Sequence, residues 1–448
     1  MNITTDIAII GGSAAGTSAA AQARRINPSA EITVFEEEEY FSYSTCALPY
    51  YISGIVKDHR DLISRTKETF KKKENISVFN YHRVKEIKPS RHEILVTDLK
   101  EKRDFAVNYS SLIIAAGAKA TVPPVPGISG ENIFTLRNLS DAVKIRKFIE
   151  TYNPSRAVIT GGGFIALQLC EAFSSRFIDV AVIEQKERLV NNFDEEISDI
   201  IENYLKSKGV KIFTGETLRA VEGGKILTDR SSYPFDMLLI CTGVKPSVEL
   251  ASQAGISTGL TGAVKVDERT CTNMKDIYSC GNCAEVTHLI TGKPAYYPLG
   301  TYANKQGKVS GSNGAGKRDY FPGVLGTSIV KTFDMTLAKT GLSHVEAALA
   351  GYKVISEFFE GLNKPSYYPG AKPIYMKLMA DKNSGKILGA QITGQEGADK
   401  RIDLMASAMT SGMTLEEFYK MDLSYSCPYS TVIDFTARSA FDFFTKLK

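Results

Sequence analysis

Two glycine-rich strand-to-helix turns 150 residues apart, and a change of pattern after about residue 320, predict an α/β chain with two Rossmann-like units and a C-terminal α+β domain. In the first unit the apolar run Asp6-Ile7-Ala8-Ile9-Ile10 leads into Gly11-Gly12-Ser13-Ala14-Ala15-Gly16, then an alanine-rich helical stretch to about Arg25. The strand Glu31-Ile32-Thr33-Val34-Phe35 follows and ends at Glu36, 25 residues after Gly11. Gly11 allows a tight turn, Gly16 lets helix and strand pack closely, and the helix N-terminus offers free N–H groups to a pyrophosphate. Glu36 has the spacing of a carboxylate that binds ribose hydroxyls. Ser13 stands where the fingerprint has its middle glycine.

The second unit repeats the pattern. Arg156-Ala157-Val158-Ile159-Thr160 runs into Gly161-Gly162-Gly163-Phe164-Ile165-Ala166 and a helix, and Val180-Ala181-Val182-Ile183 ends at Glu184, 23 residues after Gly161. One such turn is weak evidence; two, each closed by an acid, imply two bound dinucleotides. The chemistry that uses two is hydride relay from a nicotinamide to a flavin. Leu112-Ile113-Ile114-Ala115-Ala116-Gly117 closes the first unit, and the proline-rich Val122–Pro126 marks the crossing to the second. Met237–Gly243 closes the second, and Asp276–Ala284 reads as a return into the first. The expected domains are therefore 1–118 with 271–319, then 119–270, then 320–448.

Composition narrows the class. The 448 residues fit about three ordinary domains. A net charge of +4 gives no case for nucleic acid, and no apolar run reaches the ~18 residues of a membrane span. Seven scattered cysteines form no secreted disulfide framework, and the chain enters a strand at once with no basic leader, so a reducing, cytoplasmic setting is expected. No metal is expected.

Cys46, in Phe41-Ser42-Tyr43-Ser44-Thr45-Cys46-Ala47-Leu48-Pro49-Tyr50, has no second cysteine at redox-pair spacing. A lone thiol beside a flavin can become a sulfenate or hold a disulfide to a small thiol. Cys280-Gly281-Asn282-Cys283 has pair spacing, but it falls in the return turn, where coincidence is the better reading.

With these blocks in place, the chain resembles the FAD-dependent pyridine nucleotide–disulfide oxidoreductases. Within them it is similar to the single-cysteine branch of coenzyme A disulfide reductases, NADH oxidases and NADH peroxidases. The likeness runs from Gly11–Gly16 through Cys46–Tyr50, Gly161–Ala166, Tyr278–Ala284, Ala303–Lys308 and Leu325–Ser328 to Tyr425–Ser430. It implies FAD on the first unit, at Gly11, Ser13, Ala14, Ala15, Gly16, Glu36, Ala116, Gly117, Gly281, Asn282 and Ala284. It implies NADH or NADPH on the second, at Gly161, Gly163, Phe164, Ile165, Glu184 and Gly243. It also implies a homodimer whose C-terminal domain covers the partner's active site.

The resemblance makes Cys46 the catalytic thiol, carrying a mixed disulfide with coenzyme A that is resolved by electrons from NAD(P)H through FAD. The branch's peroxidases and oxidases carry a histidine in the first glycine turn where this chain has Ala14, so the disulfide reductase leads. The alternatives are an NADH oxidase, a coenzyme A persulfide or polysulfide reductase, and, from another class, a redox-sensing flavoprotein without turnover. Tyr425 and Tyr368 match the family's active-site tyrosine pair. Arg24, Arg25, Ser42, Thr45, Arg65 and Lys71 are candidate coenzyme A contacts, although Lys71–Lys73 also reads as a solvated face. Asn282, Gln168 and Thr45 depart from the family pattern, as does Cys427 in place of a proline. Cys427 is a candidate second thiol that could resolve a sulfenate or persulfide on Cys46. Glu184 would repel a 2′-phosphate, which favours NADH, while Ala166 leans towards NADPH and Lys186 and Arg188 blur the choice.

Overall fold

The computed structural model describes residues 3–447; the first two residues and the last, which lie at the outer bounds of the expected domains, fall outside the described residues. Ile3–Ile10 lies at the centre of the first sheet, parallel both to Ile32–Glu36 and to the C-terminal half of Arg103–Ile114. From Ile7 to Ile10 its side chains are buried on both faces, as an interior parallel strand requires, hence the unbroken apolar run there; Thr4 and Asp6 before it are exposed. Ile76–Asn80 extends one edge, and Ile277–Ser279 pairs with Arg103–Ile114 on the other. The return into the first unit is thus a strand of its sheet. The N-terminal half of Arg103–Ile114 carries an antiparallel meander with Glu93–Asp98 and His82–Lys88.

The second sheet is wholly parallel, in the order Lys211–Thr214, Asp179–Glu184, Arg156–Thr160, Met237–Ile240, Ile133–Thr135. The chain leaves the first unit along Ala118–Ala120 and comes back along Val244–Pro246, and these two segments pair antiparallel as one ribbon. The return therefore comes earlier than the expected boundary at 270. After the ribbon, Ala251, Ile256 and Val264 are buried with Ala8, Ile10, Leu112 and Ile277. The opposite face of that sheet packs Ile7 and Ile9 on the helix Ala14–Ile26. A parallel sheet apolar on both faces needs cover on both, and this stretch supplies the second cover.

The C-terminal domain is a five-stranded antiparallel sheet, Ser328–Thr332, Met335–Gly341, Ile387–Gly394, Pro373–Asp381 and Val354–Leu362 in spatial order, with the helices Ala398–Thr410 and Phe435–Leu447. Arg401, almost wholly buried, ties it together. Its Nε donates to both carboxylate oxygens of Asp434 at 3.1 Å, Nη1 to Gly397 O at 3.1 Å, and Nη2 to Asn363 O at 3.0 Å. It thereby joins the ends of the two loops that carry Tyr367 and Tyr425.

Burial would raise the Asp434 carboxyl, but Arg401 and the Thr436 hydroxyl and N–H outweigh it and hold the group below its usual range. A depressed folded-state value stabilises above the unfolded carboxylate range and is lost as pH falls through the folded value. Removing one partner of a buried pair leaves an uncompensated charge, so Asp434→Asn should cost about 3 kcal/mol. Thermal melts followed at neutral and acid pH should show that loss at neutral pH, with the gap to wild type narrowing as the pH is lowered.

Candidate active site

The two glycine turns are built alike. Gly11 has φ +100° and Gly161 φ +95°, and a Cβ on either would lie 2.3 Å from a carbonyl oxygen, of Ala115 and Cys241 respectively. Glu36 Oε2 accepts from Gly12 N–H at 2.7 Å and Oε1 from Glu38 N–H at 3.0 Å. Glu184 repeats this, with Gly162 N–H at 2.6 Å and Lys186 N–H at 2.7 Å. Each carboxylate is oriented by two backbone donors beneath its turn. Burial raises the Glu36 carboxyl, and those two N–H groups oppose the rise.

Both helices begin without a side-chain cap and without an acid in the first turn. Helices so started leave N–H groups and a positive dipole end to an outside anion, which fits a dinucleotide pyrophosphate at each. Gly163 has nothing within 4 Å of a Cβ position, so the chain itself does not demand glycine there. The bareness suits a phosphate's close approach. At the matching position Ser13 reaches the Tyr43 hydroxyl, which burial pushes up to about 12.

The first site holds a residue that the sequence reading missed. Arg137 donates from Nε to Ala118 O at 2.7 Å, and its Nη2 lies 3.5 Å from a Cβ position on Gly117. Among the described residues no carboxylate pairs with this half-buried guanidinium. A partly buried cation without a counter-charge in the chain suits an anionic ligand. Its signal was slight: one arginine before the capping residue Asn138 of the helix Leu139–Tyr152. Tyr296, close enough to feel the Arg137 charge, donates to Asn282 O at 2.9 Å. Cys280 and Cys283 in the same turn are buried free thiols, raised by burial, Cys280 to about 12. No disulfide joins them.

Cys46 is an exposed free thiol in the short turn Thr45–Ala47. Its Sγ lies 3.9 Å from a Cβ position on Gly300, the first residue of the helix Gly300–Gly314. That helix also starts without a side-chain cap or an early acid, so its positive end faces the sulfur. Two bonds fix the loop: Ser42 N–H donates to Gly12 O at 2.8 Å, and Ser64 N–H to Ser42 O at 2.7 Å. Ser42 itself is buried, at φ +53°, and acts as backbone anchor.

The candidate coenzyme A residues divide. Arg24 donates to the carbonyls of Glu74, Asn75 and Pro28, tying the helix end to a neighbouring loop, and so leaves the set. Arg65 pairs with Glu74 at 2.8 Å, over the Phe70 ring. Arg25 is exposed, with one 3.2 Å bond to Gln22, and Lys71 is exposed with a long contact to Ser77. Thr45 opens the Cys46 turn.

The tyrosine pair also needs correction. Tyr425 has Tyr367, not Tyr368, as its neighbour, with hydroxyls 3.5 Å apart. Tyr368 N–H closes a turn onto Pro365 O at 2.9 Å, and its ring centroid lies 5.8 Å from the Lys364 ammonium. Both the Tyr367 and Tyr425 hydroxyls lie on Cys427 Sγ, at 3.1 and 3.2 Å.

Comparison with known proteins decides the family. The model described as pyridine nucleotide-disulphide oxidoreductase matches residues 5–307, and the dimerisation domain of the same family matches 327–433. The chain belongs to this family. As a member it is an NAD(P)H-dependent FAD oxidoreductase. It is 35% identical to the NAD(P)H coenzyme A polysulfide/persulfide reductase of Pyrococcus horikoshii, covering 97% of each chain. It is 31% identical to the coenzyme A disulfide reductase of Staphylococcus haemolyticus, over 95% of this chain and 96% of that one. The crystal structure of reduced Bacillus anthracis CoADR-RHD superposes with a TM-score of 0.97 at 32% identity, covering 99% of this chain and 81% of that one. Among the described residues no helix is long and apolar enough to cross a membrane, and no group of side chains could hold a metal ion.

Arg137→Met removes a cation but keeps the bulk. It should weaken FAD binding about tenfold, the size of one charge-assisted bond. Flavin fluorescence titration of the stripped protein measures this, with circular dichroism unchanged.

Proposed function

We propose that the enzyme reduces a disulfide of coenzyme A, with Cys46 as the exchanging thiol. The single observation that carries this is one exposed sulfur with no cysteine partner, fixed to the first glycine turn and facing a helix N-terminus. Cys46 thiolate attacks one sulfur of the disulfide; that S–S bond breaks, a Cys46–coenzyme A disulfide forms, and one coenzyme A thiolate leaves with the electron pair. FAD, when bound, supplies the two-electron link between NAD(P)H and sulfur. Splitting the mixed disulfide with those two electrons and one proton returns Cys46 and frees the second coenzyme A. Tyr367 and Tyr425 supply hydrogen bonds to a departing thiolate. In the homodimer we propose, that pair lies over the other protomer's Cys46, with Arg25 and Lys71 available to the nucleotide phosphates. We place the enzyme in the cytoplasm.

NADH is the proposed coenzyme. Glu184 stands ready for ribose hydroxyls, and Arg188 is drawn away to Glu195 and to Asp199 at 3.1 Å. A second reading, reduction of coenzyme A persulfide, is supported by the 35% identical relative of that name. Anaerobic turnover separates them. Two thiols per NADH with coenzyme A disulfide supports the first, and sulfide release from coenzyme A persulfide the second. Oxygen loss with no thiol acceptor would replace both with an oxidase. Cys46→Ser should leave flavin reduction by NADH within about twofold while thiol release falls at least about a thousandfold, checked by stopped flow and thiol titration.

A further inference from the structure

The Tyr367–Tyr425–Cys427 cluster brings three side chains from two separate segments to one point on the C-terminal domain. Both hydroxyls lie within 3.2 Å of one sulfur, and only 3.5 Å from each other. A phenol on an exposed loop has two rotatable bonds and several accessible rotamers unless something holds it. Among the described residues no other hydrogen bond orients Tyr367 or Tyr425, which are 72% and 43% exposed. The sulfur is therefore the shared hydrogen-bond partner on which the two hydroxyls converge.

We propose that Cys427 is a positioning residue, which gathers the Tyr367 and Tyr425 hydroxyls into a two-donor cradle for the thiolate that leaves when the disulfide is opened. This rests on the role proposed for the tyrosine pair. Held side by side on one sulfur, the two hydroxyls turn from Cys427 Sγ to the leaving thiolate without first having to be brought together.

The cluster also carries a pH signature. The two phenol hydrogen bonds lower the Cys427 thiol, and the same bond to Cys427, then Tyr367, raises the Tyr425 hydroxyl. Without the thiol the Tyr425 hydroxyl falls back towards its ordinary value, so donation to the leaving thiolate fails at lower pH.

The test compares Cys427→Ala, Cys427→Ser, Tyr367→Phe and Tyr425→Phe as flavin-loaded dimers, with coenzyme A disulfide as substrate. Cys427→Ala should lower kcat about tenfold, the size of one neutral hydrogen bond, with KM within twofold. Adding Tyr367→Phe to it should cost little more, because both remove the same contact. Cys427→Ser restores an acceptor and should recover kcat near neutrality, but with the alkaline fall of kcat at lower pH than in the wild type. An unchanged kcat and pH profile in Cys427→Ala, with either tyrosine variant impaired, overturns the inference alone. Unchanged kcat in both tyrosine variants overturns the cradle itself. Loss of flavin or dimer in Cys427→Ala with full activity in Cys427→Ser and an unmoved alkaline limb would make the residue a loop-packing group, which also overturns it.

Discussion

The geometry of the active site hangs from the near-contact of two helices. Gly300–Gly314 lies so close to Ala14–Ile26 that a Cβ on Gly307 would come 2.3 Å from Ala15 O, and one on Gly311 2.2 Å from Ala19 O. Glycine inside a helix costs about 1 kcal/mol relative to alanine, so its presence here marks a demand from packing. That contact sets three things at once. It fixes the height of the first glycine turn, and it places the return turn through Gly281 N–H donating to Gln306 Oε1 at 2.9 Å. It also sets the helix start at Gly300 beside Cys46. A larger side chain at 307 or 311 would part the helices and move the first glycine turn, the return turn and the thiol out of register together.

The two dinucleotide units share their acids but differ in how firmly they grip. The first has Ser13 joined to Tyr43, a half-buried Arg137 and Tyr296 held on Asn282. The second has bare glycines with open space at 163 and 243. A resident group gains from many fixed polar neighbours, whereas a coenzyme that must enter and leave each cycle gains from few. The two turns, built alike, thus differ in how many fixed polar neighbours surround them.

Much of this was legible in the chain itself. The paired turns, the acids at 36 and 184 and the lone Cys46 follow from spacing, because a βαβ unit leaves little freedom between glycine and carboxylate. Three things were not legible. The second unit's end near 247 depends on which sheet face lacks cover, a tertiary matter. Arg24 and Arg25 are adjacent and chemically identical, so only the fold shows that one is spent on carbonyls. The choice between Tyr367 and Tyr368 turned on a loop whose direction no local pattern sets.

A single-thiol cycle also requires that the other cysteines stay silent, and burial arranges this. Cys170, Cys241, Cys280 and Cys283 are all raised by desolvation, Cys241 to about 12, and Cys271 is raised in the same sense. Exchange needs thiolate, so these sulfurs do not compete for a disulfide even where the chain could open to admit one. Two sulfurs lie outside this set. Cys46 is fixed by backbone bonds to the flavin turn, and Cys427 is held by two phenols on a different domain. The first is exposed, with no hydrogen bond to its sulfur among the described residues; the second is engaged by two hydroxyls, so the two thiols differ in the one respect that matters for exchange, access to an incoming sulfur.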